Sequence, residues 1–327
     1  MKKILGVGNA LVDILATLTE ESLLHKFNLP KGSMQHVDEL TSGRIWDDLR
    51  MLGVQRVAGG SAANTISGAA QLGMVAGFVG KVGGDELGAS FAEEQHRCNI
   101  KPHLLHSNTS TGRCMVFISP DAERTMATYL GAAIELTAED IQPSMFDGYD
   151  YFHIEGYLVQ NHELIRRAVT LAKEKNMLVS IDLASYNVVE ENKTFLLDIV
   201  RNYVDIVFAN EAEAEIFTGE KPHEALNLMS EWCDIAVVKI GHEGSLVKTK
   251  GKKHVIAAHK VNAVDATGAG DLYASGFLYA HSLGLPIDIC GNIGSLVASN
   301  VVETIGPKMD EARWASIKSE ISKMYKI

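Results

Sequence analysis

Residues 264–272 read Val-Asp-Ala-Thr-Gly-Ala-Gly-Asp-Leu, an apolar approach that leads into a turn of small residues. Apolar and small residues then recur at helical spacing, at Leu272, Gly276, Tyr279 and Leu283. This pattern predicts a helix that begins at the turn. The first N–H groups of a helix have no partner inside it, and the helix dipole gives that end partial positive charge, so an anion is favoured there.

Three residues with almost no side chain, Gly268, Ala269 and Gly270, would let a phosphate approach these N–H groups closely. Asp271 follows directly, and its carboxylate would repel a phosphate that was merely stored at the turn. The carboxylate has a use if it accepts the proton of a hydroxyl group that attacks the phosphate. The alternative is a glycine turn with a helix-capping Asp, which is a frequent arrangement.

The string DATGAGD at 265–271 closely resembles the signature of the PfkB carbohydrate kinase family, which includes ribokinase, fructokinase and adenosine kinase. The family pattern is Asp-Thr-x-Gly-Ala-Gly-Asp, and this chain departs from it only in the second and third residues. The resemblance implies an ATP-dependent kinase in which Asp271 is the catalytic base, the amides of residues 268–270 form an anion hole, and Thr267 lies beside ATP. Asp265 resembles the family residue next to a monovalent-cation loop, which makes K⁺ a candidate cofactor.

A glycine pair, Gly59 and Gly60, opens a second predicted helix, which carries Asn64 one turn further on. Paired glycines bring the backbone near a ligand, and an amide side chain offers both a donor and an acceptor, as a sugar diol requires. The alternative is a Gly-Gly turn with Ser61 as the helix N-cap. Gly-Gly-x-x-x-Asn resembles the other signature of the family, which implies that this stretch meets the sugar hydroxyls.

The first predicted strand, residues 3–7, is followed by Asn9 and Asp13. Ligands of open α/β sheets bind at the carboxyl ends of strands, so both side chains are well placed to face one. The resemblance implies that Asp13 binds the sugar hydroxyls together with Gly60 and Asn64. Taken alone, Asp13 is better explained as a turn residue.

Asn210 and Glu213 lie three residues apart where a predicted strand gives way to a helix, hence on one face of the first turn. An Asn followed by an acidic residue at this spacing is typical of a capping box. In the family, Asn-x-x-Glu orders a magnesium ion and its waters near the phosphates, which implies Mg²⁺ as a cofactor. Both roles are compatible.

Residues 237–245 resemble the strand and Gly-x-x-Gly loop that borders the nucleotide in this family. Small residues there would let adenosine pass close to the backbone, although a lone lysine at a strand end is more often a surface charge. Nothing in the residue types favours Asn292 over Asn300 as a neighbour of the adenine. The residues assigned to ATP on the resemblance, besides Thr267, are Arg124, Lys239, Gly241, Gly244 and Asn292.

After residue 130 the pattern alternates between strand and helix, which predicts βαβ units and a parallel sheet with helices on both faces. Predicted strands cover 3–7, 78–82, 151–154, 178–182, 206–208 and 235–240, and predicted helices cover 163–175, 193–203, 221–232 and 290–302.

Two extended pieces, 113–119 and 124–130, joined by Pro120-Asp121-Ala122-Glu123, predict a hairpin. Residues 14–41 are irregular apart from short extended pieces such as 34–37. Two strand-rich segments predict a small accessory sheet, which in the family is a lid over the substrate. The predicted fold is therefore a ribokinase-like α/β/α sandwich with a mostly parallel central sheet and a β lid. Residues 1–9, 42–105 and 131–327 are assigned to the large catalytic domain, and 10–41 and 106–130 to the lid.

Composition excludes several classes of protein. The 327 residues are 46% hydrophobic and carry a formal net charge of -11, which argues against nucleic acid or an anionic membrane as the main partner. The four scattered cysteines argue against a disulfide framework or a zinc site, and a cytoplasmic location is expected. Asn9 and Asp13 interrupt the apolar start, which predicts a first buried strand instead of a signal peptide, and no apolar run is long enough to span a bilayer.

The predicted activity is transfer of the γ-phosphate of ATP to a primary hydroxyl of an adenosine-like ribonucleoside. A free sugar such as ribose, fructose or another ketohexose is the alternative acceptor. The stretch 153–157 and the chain's start look more like adenosine kinases than ribokinase. An apolar slot for the base would come from Met34, His36, Met115 and Phe117, which could equally form the lid's own core. A homodimer through the lid is a further expectation.

Two other classes remain open on the sequence. A nicotinamide oxidoreductase would use the same sheet, but the chain lacks the glycine fingerprint after its first strand. A non-catalytic sugar or nucleoside binding protein would have no reason to keep Asp271 beside an anion hole. No GxxxxGK[ST] motif is present, so a P-loop does not hold the phosphates.

Overall fold

The computed structural model describes residues 2–120, 123–249 and 251–326, which form two β-sheets and the helices around them. The strands are β1 (Lys3–Val7), β2 (Leu11–Thr17), β3 (Met34–His36), β4 (Gln55–Gly59), β5 (Val75–Gly83), β6 (Ile100–Ser107), β7 (Gly112–Ile118), β8 (Arg124–Tyr129), β9 (Tyr151–Glu155), β10 (Leu178–Asp182), β11 (Ile206–Asn210), β12 (Ile235–Lys239), β13 (Ser245–Thr249) and β14 (Lys252–Ile256). The α-helices are α1 (Ser22–Lys26), α2 (Glu39–Leu49), α3 (Ser61–Leu72), α4 (Glu86–Arg97), α5 (His162–Glu174), α6 (Tyr186–Tyr203), α7 (Glu211–Thr218), α8 (Pro222–Trp232), α9 (Ala269–Ser282), α10 (Ile287–Val301) and α11 (Glu311–Tyr325).

The large sheet has nine strands in the order β14-β13-β12-β11-β10-β9-β1-β5-β6. All neighbouring pairs are parallel except β12 with β13 and β13 with β14. The mostly parallel central sheet predicted from the strand–helix alternation is therefore confirmed. The antiparallel hairpin at its end carries a polar, lysine-rich last strand, which gives no period-2 apolar signal.

Apolar residues of β1 point alternately to the two faces of this sheet. Ile4 joins a core with residues of α3, α9 and α10, whereas Leu5 and Val7 join a second core with residues of α5, α6 and α8. A strand buried on both faces reads as a continuous apolar run, as β1 does. The predicted α/β/α sandwich is confirmed.

The small sheet has five strands in the order β3-β8-β7-β2-β4. The predicted hairpin is present as the antiparallel pair β7 and β8, although residues 121–122 of its turn lie outside the described residues. Strand β4 falls within the range 42–105 assigned to the large domain, yet it pairs with β2. The short extended piece predicted at 34–37 is present as β3, but the prediction that the rest of 14–41 is irregular is wrong, because the end of β2, α1 and the start of α2 fall there. Both faces of β2 are covered, so its sequence does not alternate.

The two faces of the small sheet are buried against different partners. Met115 and Phe117 of β7 share the core that contains Ile45 of α2, which contacts β7 and β8. The intervening residues of the strand, among them Cys114 and Val116, point to the opposite, inner face because side chains alternate along a strand. Met115 and Phe117 thus belong to the core of the small sheet. This is the alternative to the prediction that they line a slot for the base.

All four cysteines are free thiols. Within the described ranges, every helix is too short or too polar to pass through a membrane.

Candidate active site

Two cavities lie where the carboxyl ends of the large-sheet strands meet the inner face of the small sheet. The first, of about 710 Å³, is lined mainly by apolar residues of the small sheet and of segment 130–164. The second, of about 670 Å³, is lined by the ends of β10, β11 and β12 and by the start of α9. Both cavities are lined by Asp13, Gly60, Ser61, Met126 and Tyr157, so a ligand in one can reach a ligand in the other.

Most predicted site residues come together around the second cavity. Asn9 lines the first cavity, whereas Gly59, Arg124, Gly244, Asp265, Ala269 and Asn292 line neither. The predicted site residues that line the second cavity are Asp13, Gly60, Asn64, Asn210, Glu213, Lys239, Gly241, Thr267, Gly268, Gly270 and Asp271.

Asp271 lies in the first turn of α9, which begins after Gly268 in the left-handed conformation. Its carboxylate accepts hydrogen bonds from the hydroxyl of Ser61 at 2.7 Å and from Nδ2 of Asn64 at 3.0 Å. Burial and the nearby charge of Asp182 raise the pKa of Asp271 to about 6, while the two donors oppose the rise. The group is therefore an ionised carboxylate at neutral pH with a pKa close to that of an effective general base.

Ser61 is a site residue that the sequence analysis considered only as a helix cap. The N-cap of α3 is Gly60, with a φ of +98°, and a Cβ there would lie 2.2 Å from the carbonyl oxygen of Asn9. Only glycine fits such a position. Ser61 therefore begins the helix itself, and its hydroxyl is free to bind Asp271.

Asn64 presents an open acceptor to the site. Its Nδ2 donates to Asp271, but its Oδ1 is buried and has no hydrogen-bond partner among the described residues. A buried carbonyl oxygen without a partner is costly. A ligand with a hydroxyl group would satisfy it.

Asp13 is packed against the glycine pair that precedes α3. A Cβ on Gly59 would lie 2.4 Å from Oδ1 of Asp13, so this glycine makes room for the carboxylate. Burial raises the pKa of Asp13 to about 7; the charge of Lys308 opposes the rise and that of Asp271 adds to it. The structure thus places two carboxyl groups with raised pKa values along one wall of the second cavity.

Glu155, at the end of β9, connects the segments that carry these residues. One carboxylate oxygen accepts bonds from Nδ2 of Asn9 at 2.6 Å and from the backbone N–H of Asn9 at 3.2 Å, and the other accepts the N–H of Ala62 at 3.0 Å. Burial raises the pKa of Glu155 to about 7, against the effect of these donors. Asn9 therefore binds Glu155 and holds the loop after β1 to the start of α3.

A buried ion pair lies on the other side of the second cavity. Nζ of Lys239 is 2.7 Å from Asp182 at the end of β10. It would also lie 2.9 Å from a Cβ on Gly270, beside the first turn of α9. Burial opposes the charge of Lys239, but Asp182 and Glu213 outweigh it and raise its pKa. The lysine is thus a fixed cation at the helix terminus and not a surface charge.

Asn210 and Glu213 form the capping box of α7. Oδ1 of Asn210 accepts the N–H of Glu213 at 2.9 Å, and Glu213 accepts the N–H and Nδ2 of Asn210 at 2.8 and 2.6 Å. Burial and the charge of Asp182 raise the pKa of Glu213 to about 7. In the part of the chain that the structure describes, no group of three or more His, Cys, Asp and Glu side chains is arranged around a metal position.

The predicted anion hole is partly in use within the turn. The N–H of Ala269 donates to the carbonyl of Ala266 at 3.1 Å. Gly268 and Gly270 both line the second cavity. Gly268 adopts a φ of +76°, and a Cβ on this residue would collide with Pro307. The amides of Gly268 and Gly270 are therefore the better placed to meet an anion.

Three predicted ATP residues, Arg124, Gly244 and Asn292, line neither cavity. A Cβ on Gly244 would lie 2.0 Å from the carbonyl oxygen of Ile256, so this glycine allows β13 and the end of β14 to approach each other. Asn292 lies within α10 and lines neither cavity. Gly241, in contrast, lines the second cavity.

The family model described as pfkB family carbohydrate kinase matches residues 38–312 of the chain. The solved structure of adenosine kinase from Sinorhizobium meliloti is similar, with 32% identity and a TM-score of 0.88, and covers 98% of this chain and 99% of that one. A probable sugar kinase from Rhizobium etli CFN 42 is similar at 32% identity and a TM-score of 0.88 over 98% of both chains. The 5-dehydro-2-deoxygluconokinase of Listeria innocua is 28% identical over 302 residues, 84% of this chain and 93% of that protein.

Proposed function

Because the chain belongs to the pfkB family of carbohydrate kinases, we propose that it transfers the γ-phosphate of ATP to a primary hydroxyl group of a ribonucleoside. Kinase activity follows from the family. The acceptor does not, since relatives of similar identity are named as adenosine and sugar kinases. We therefore propose the acceptor and the roles of individual residues from the geometry of the site.

The proposal rests on the buried Oδ1 of Asn64, which has no hydrogen-bond partner among the described residues. It lies on the side chain that donates to Asp271, and a hydroxyl group of a ligand would satisfy it. Asp13 lines both cavities and supplies carboxylate acceptors. Vicinal hydroxyls of a ribose would satisfy both groups.

The chemical step uses Asp271 as the proton acceptor. A hydroxymethyl group of the acceptor, held at the junction of the two cavities, would lie against the carboxylate, which accepts its proton as the oxygen attacks the γ-phosphate in line. The bond from the γ-phosphorus to the bridging oxygen breaks, and ADP leaves with that oxygen. The amides of Gly268 and Gly270 and the ammonium group of Lys239 would oppose the negative charge that develops on the phosphate. Closure of the small sheet over the acceptor would exclude water, which otherwise competes as nucleophile.

Asn210 and Glu213 would hold Mg²⁺ through water molecules. Each carboxylate oxygen of Glu213 accepts one bond from Asn210, so lone pairs remain, and both residues line the second cavity. When bound, the ion neutralises charge on the β- and γ-phosphates. The capping box keeps the two side chains in place for this role.

The first cavity favours a ribonucleoside over a free sugar. A ribose alone would occupy only the junction and leave the apolar part of the cavity without contacts. A purine or pyrimidine base is a flat, largely apolar group that would fill it. The residues that would contact a base are Met34, His36, Met126, Leu136 and Leu158. A free sugar is the second candidate, because two of the three relatives named above are called sugar kinase or deoxygluconokinase.

A coupled assay of ADP release tests the proposal, with Mg-ATP and adenosine, other ribonucleosides, ribose and fructose as acceptors. We expect the highest kcat/KM among these acceptors to belong to a ribonucleoside. A free sugar in the lead would contradict the assignment of the first cavity to a base. Asp271→Ala should lower kcat by about 10²-fold or more while acceptor binding, measured by calorimetry, persists.

A further inference from the structure

An arginine of the small sheet reaches the loop that precedes the catalytic helix. Nη2 of Arg124, on β8, lies 2.5 Å from Oδ2 of Asp265, and its Nη1 donates to the hydroxyl of Thr267 at 2.8 Å. The side chains of Arg124 and Asp265 are only 12% and 3% exposed. This is an ion pair that is largely shielded from water, where opposite charges attract each other more strongly than at the surface.

The carboxylate of Asp265 is already well supplied with donors. Its Oδ1 accepts the N–H of Thr267 at 2.9 Å, and its Oδ2 accepts the N–H of Gly306 at 2.7 Å and forms the ion pair with Arg124. Two N–H donors and one guanidinium group therefore already contact the carboxylate. The guanidinium group already balances the negative charge.

These contacts do not fit the monovalent cation that the family resemblance suggests at Asp265. A K⁺ ion on this carboxylate would lie beside a buried guanidinium group, and two like charges repel strongly where water does not screen them. It would also have to compete with backbone N–H donors for the same oxygens.

We propose that the guanidinium group of Arg124 supplies the positive charge at Asp265 that a monovalent cation would otherwise supply, so that this kinase needs no K⁺. Removal of that charge then opens the carboxylate to K⁺. Arg124 is a positioning residue in this scheme: it holds the loop that leads to Gly268 and Asp271. The turnover measurements below rest on the proposed function, whereas the thermal measurements do not.

The test compares the protein in K⁺ and in tetramethylammonium, a cation too large for a site that fits K⁺, at equal ionic strength. For the wild type we expect kcat/KM to agree within about twofold and Tm within about 1 °C between the two salts. A wild-type kcat/KM about tenfold or more lower in tetramethylammonium, or a clear rise of Tm in K⁺, overturns the proposal. If no acceptor is turned over in either salt, the proposed function has failed while the Tm comparison still decides the cation question.

Variants separate the charge of Arg124 from its bulk. Arg124→Met should lose about tenfold in kcat/KM in tetramethylammonium, regain about threefold or more in K⁺, and show a K⁺-dependent rise of Tm. Arg124→Lys keeps the charge and should stay indifferent to K⁺, which leaves a test if the Met variant fails to fold. Arg113→Met is the matched control, since Arg113 is a half-buried arginine of the neighbouring strand that binds Ser42; it should show no K⁺ response. An Arg124→Met protein as indifferent to K⁺ as the wild type contradicts the inference.

Discussion

Replacement of Ser61 by alanine should move the acid limb of the pH–rate profile upward. The Ser61 hydroxyl donates to Oδ1 of Asp271 at 2.7 Å and is one of the two donors that keep the carboxylate ionised. A hydrogen bond to a charged group contributes about 1.5–3 kcal/mol, and one pKa unit corresponds to about 1.4 kcal/mol. Loss of the bond should therefore raise the pKa of Asp271 from about 6 by about one unit, allowing for water that replaces part of it.

The assay is kcat/KM for the preferred acceptor from pH 5 to pH 9, with the coupling enzymes in excess at every pH. The base must be ionised to act, so activity should fall as the pH drops below the pKa, and Ser61→Ala should lose activity at higher pH than the wild type. At the alkaline end the two proteins should agree within about tenfold. Ser67→Ala, on the same helix but with its hydroxyl directed to Cys98, should keep the wild-type profile. An acid limb in Ser61→Ala that coincides with that of the wild type would refute a role of this bond in tuning Asp271.

Three further changes follow from the same contacts. Gly59→Ala places a methyl group 2.4 Å from the carboxylate of Asp13, so the acceptor KM should rise about tenfold or more while the ATP KM stays within about twofold. Lys239→Met leaves Asp182 buried without its partner at 2.7 Å, which should cost about 3–5 kcal/mol in urea unfolding and be partly recovered by adding Asp182→Asn. Asp271→Asn should stabilise the fold at pH 7, because a carboxyl group whose pKa is raised to about 6 in the folded state destabilises that state once it is ionised. The gain in the free energy of unfolding should be about 1–2 kcal/mol after screening and should vanish below about pH 4, where the carboxyl group is protonated in both states.

Each of these has its own control or contrary outcome. Gly84→Ala is matched to Gly59→Ala, since a Cβ at Gly84 meets no atom within 4 Å, and it should leave both KM values unchanged. A normal acceptor KM in Gly59→Ala would contradict acceptor binding by Asp13. Unfolding of Lys239→Met at the wild-type urea concentration would show that Asp182 finds other compensation. A stability gain in Asp271→Asn that is equal at pH 7 and pH 4 would point to packing and not to charge.

Local patterns in the sequence predict six of the nine strands of the large sheet, because those strands are short apolar runs, but they miss β6, β13 and β14. They also lead to Asp271 and Asn64, because each residue follows a glycine turn at the start of a predicted helix, where the backbone can approach a ligand. In the small sheet they predict β3 and the β7–β8 hairpin but miss β2, which is buried on both faces, and β4. They also give no contacts between distant segments. Ser61 and Asp271 are 210 residues apart in the chain, and Asn9 and Glu155 are 146 apart.

The ion pair of Asp182 and Lys239 illustrates the same limit. The two residues are 57 positions apart, and each taken alone is an ordinary charged residue at the end of a strand. Only the order of β10, β11 and β12 in the sheet brings their side chains to one cavity wall. Strand order is set by long-range packing, which no local pattern contains.

The covering of the small sheet bears on self-association. Its outer face is packed under α2, so a second copy cannot stack on that face without displacing the helix. At one edge of the sheet, the outward N–H of Ala58 on β4 is already bound by Glu94 at 2.7 Å. At the other edge lies β3, which is three residues long, and short edge strands recruit partners poorly. A dimer through this sheet would therefore pair two copies along the short β3 or along the residues of β4 other than Ala58, and we expect such edges to hold two copies together only weakly.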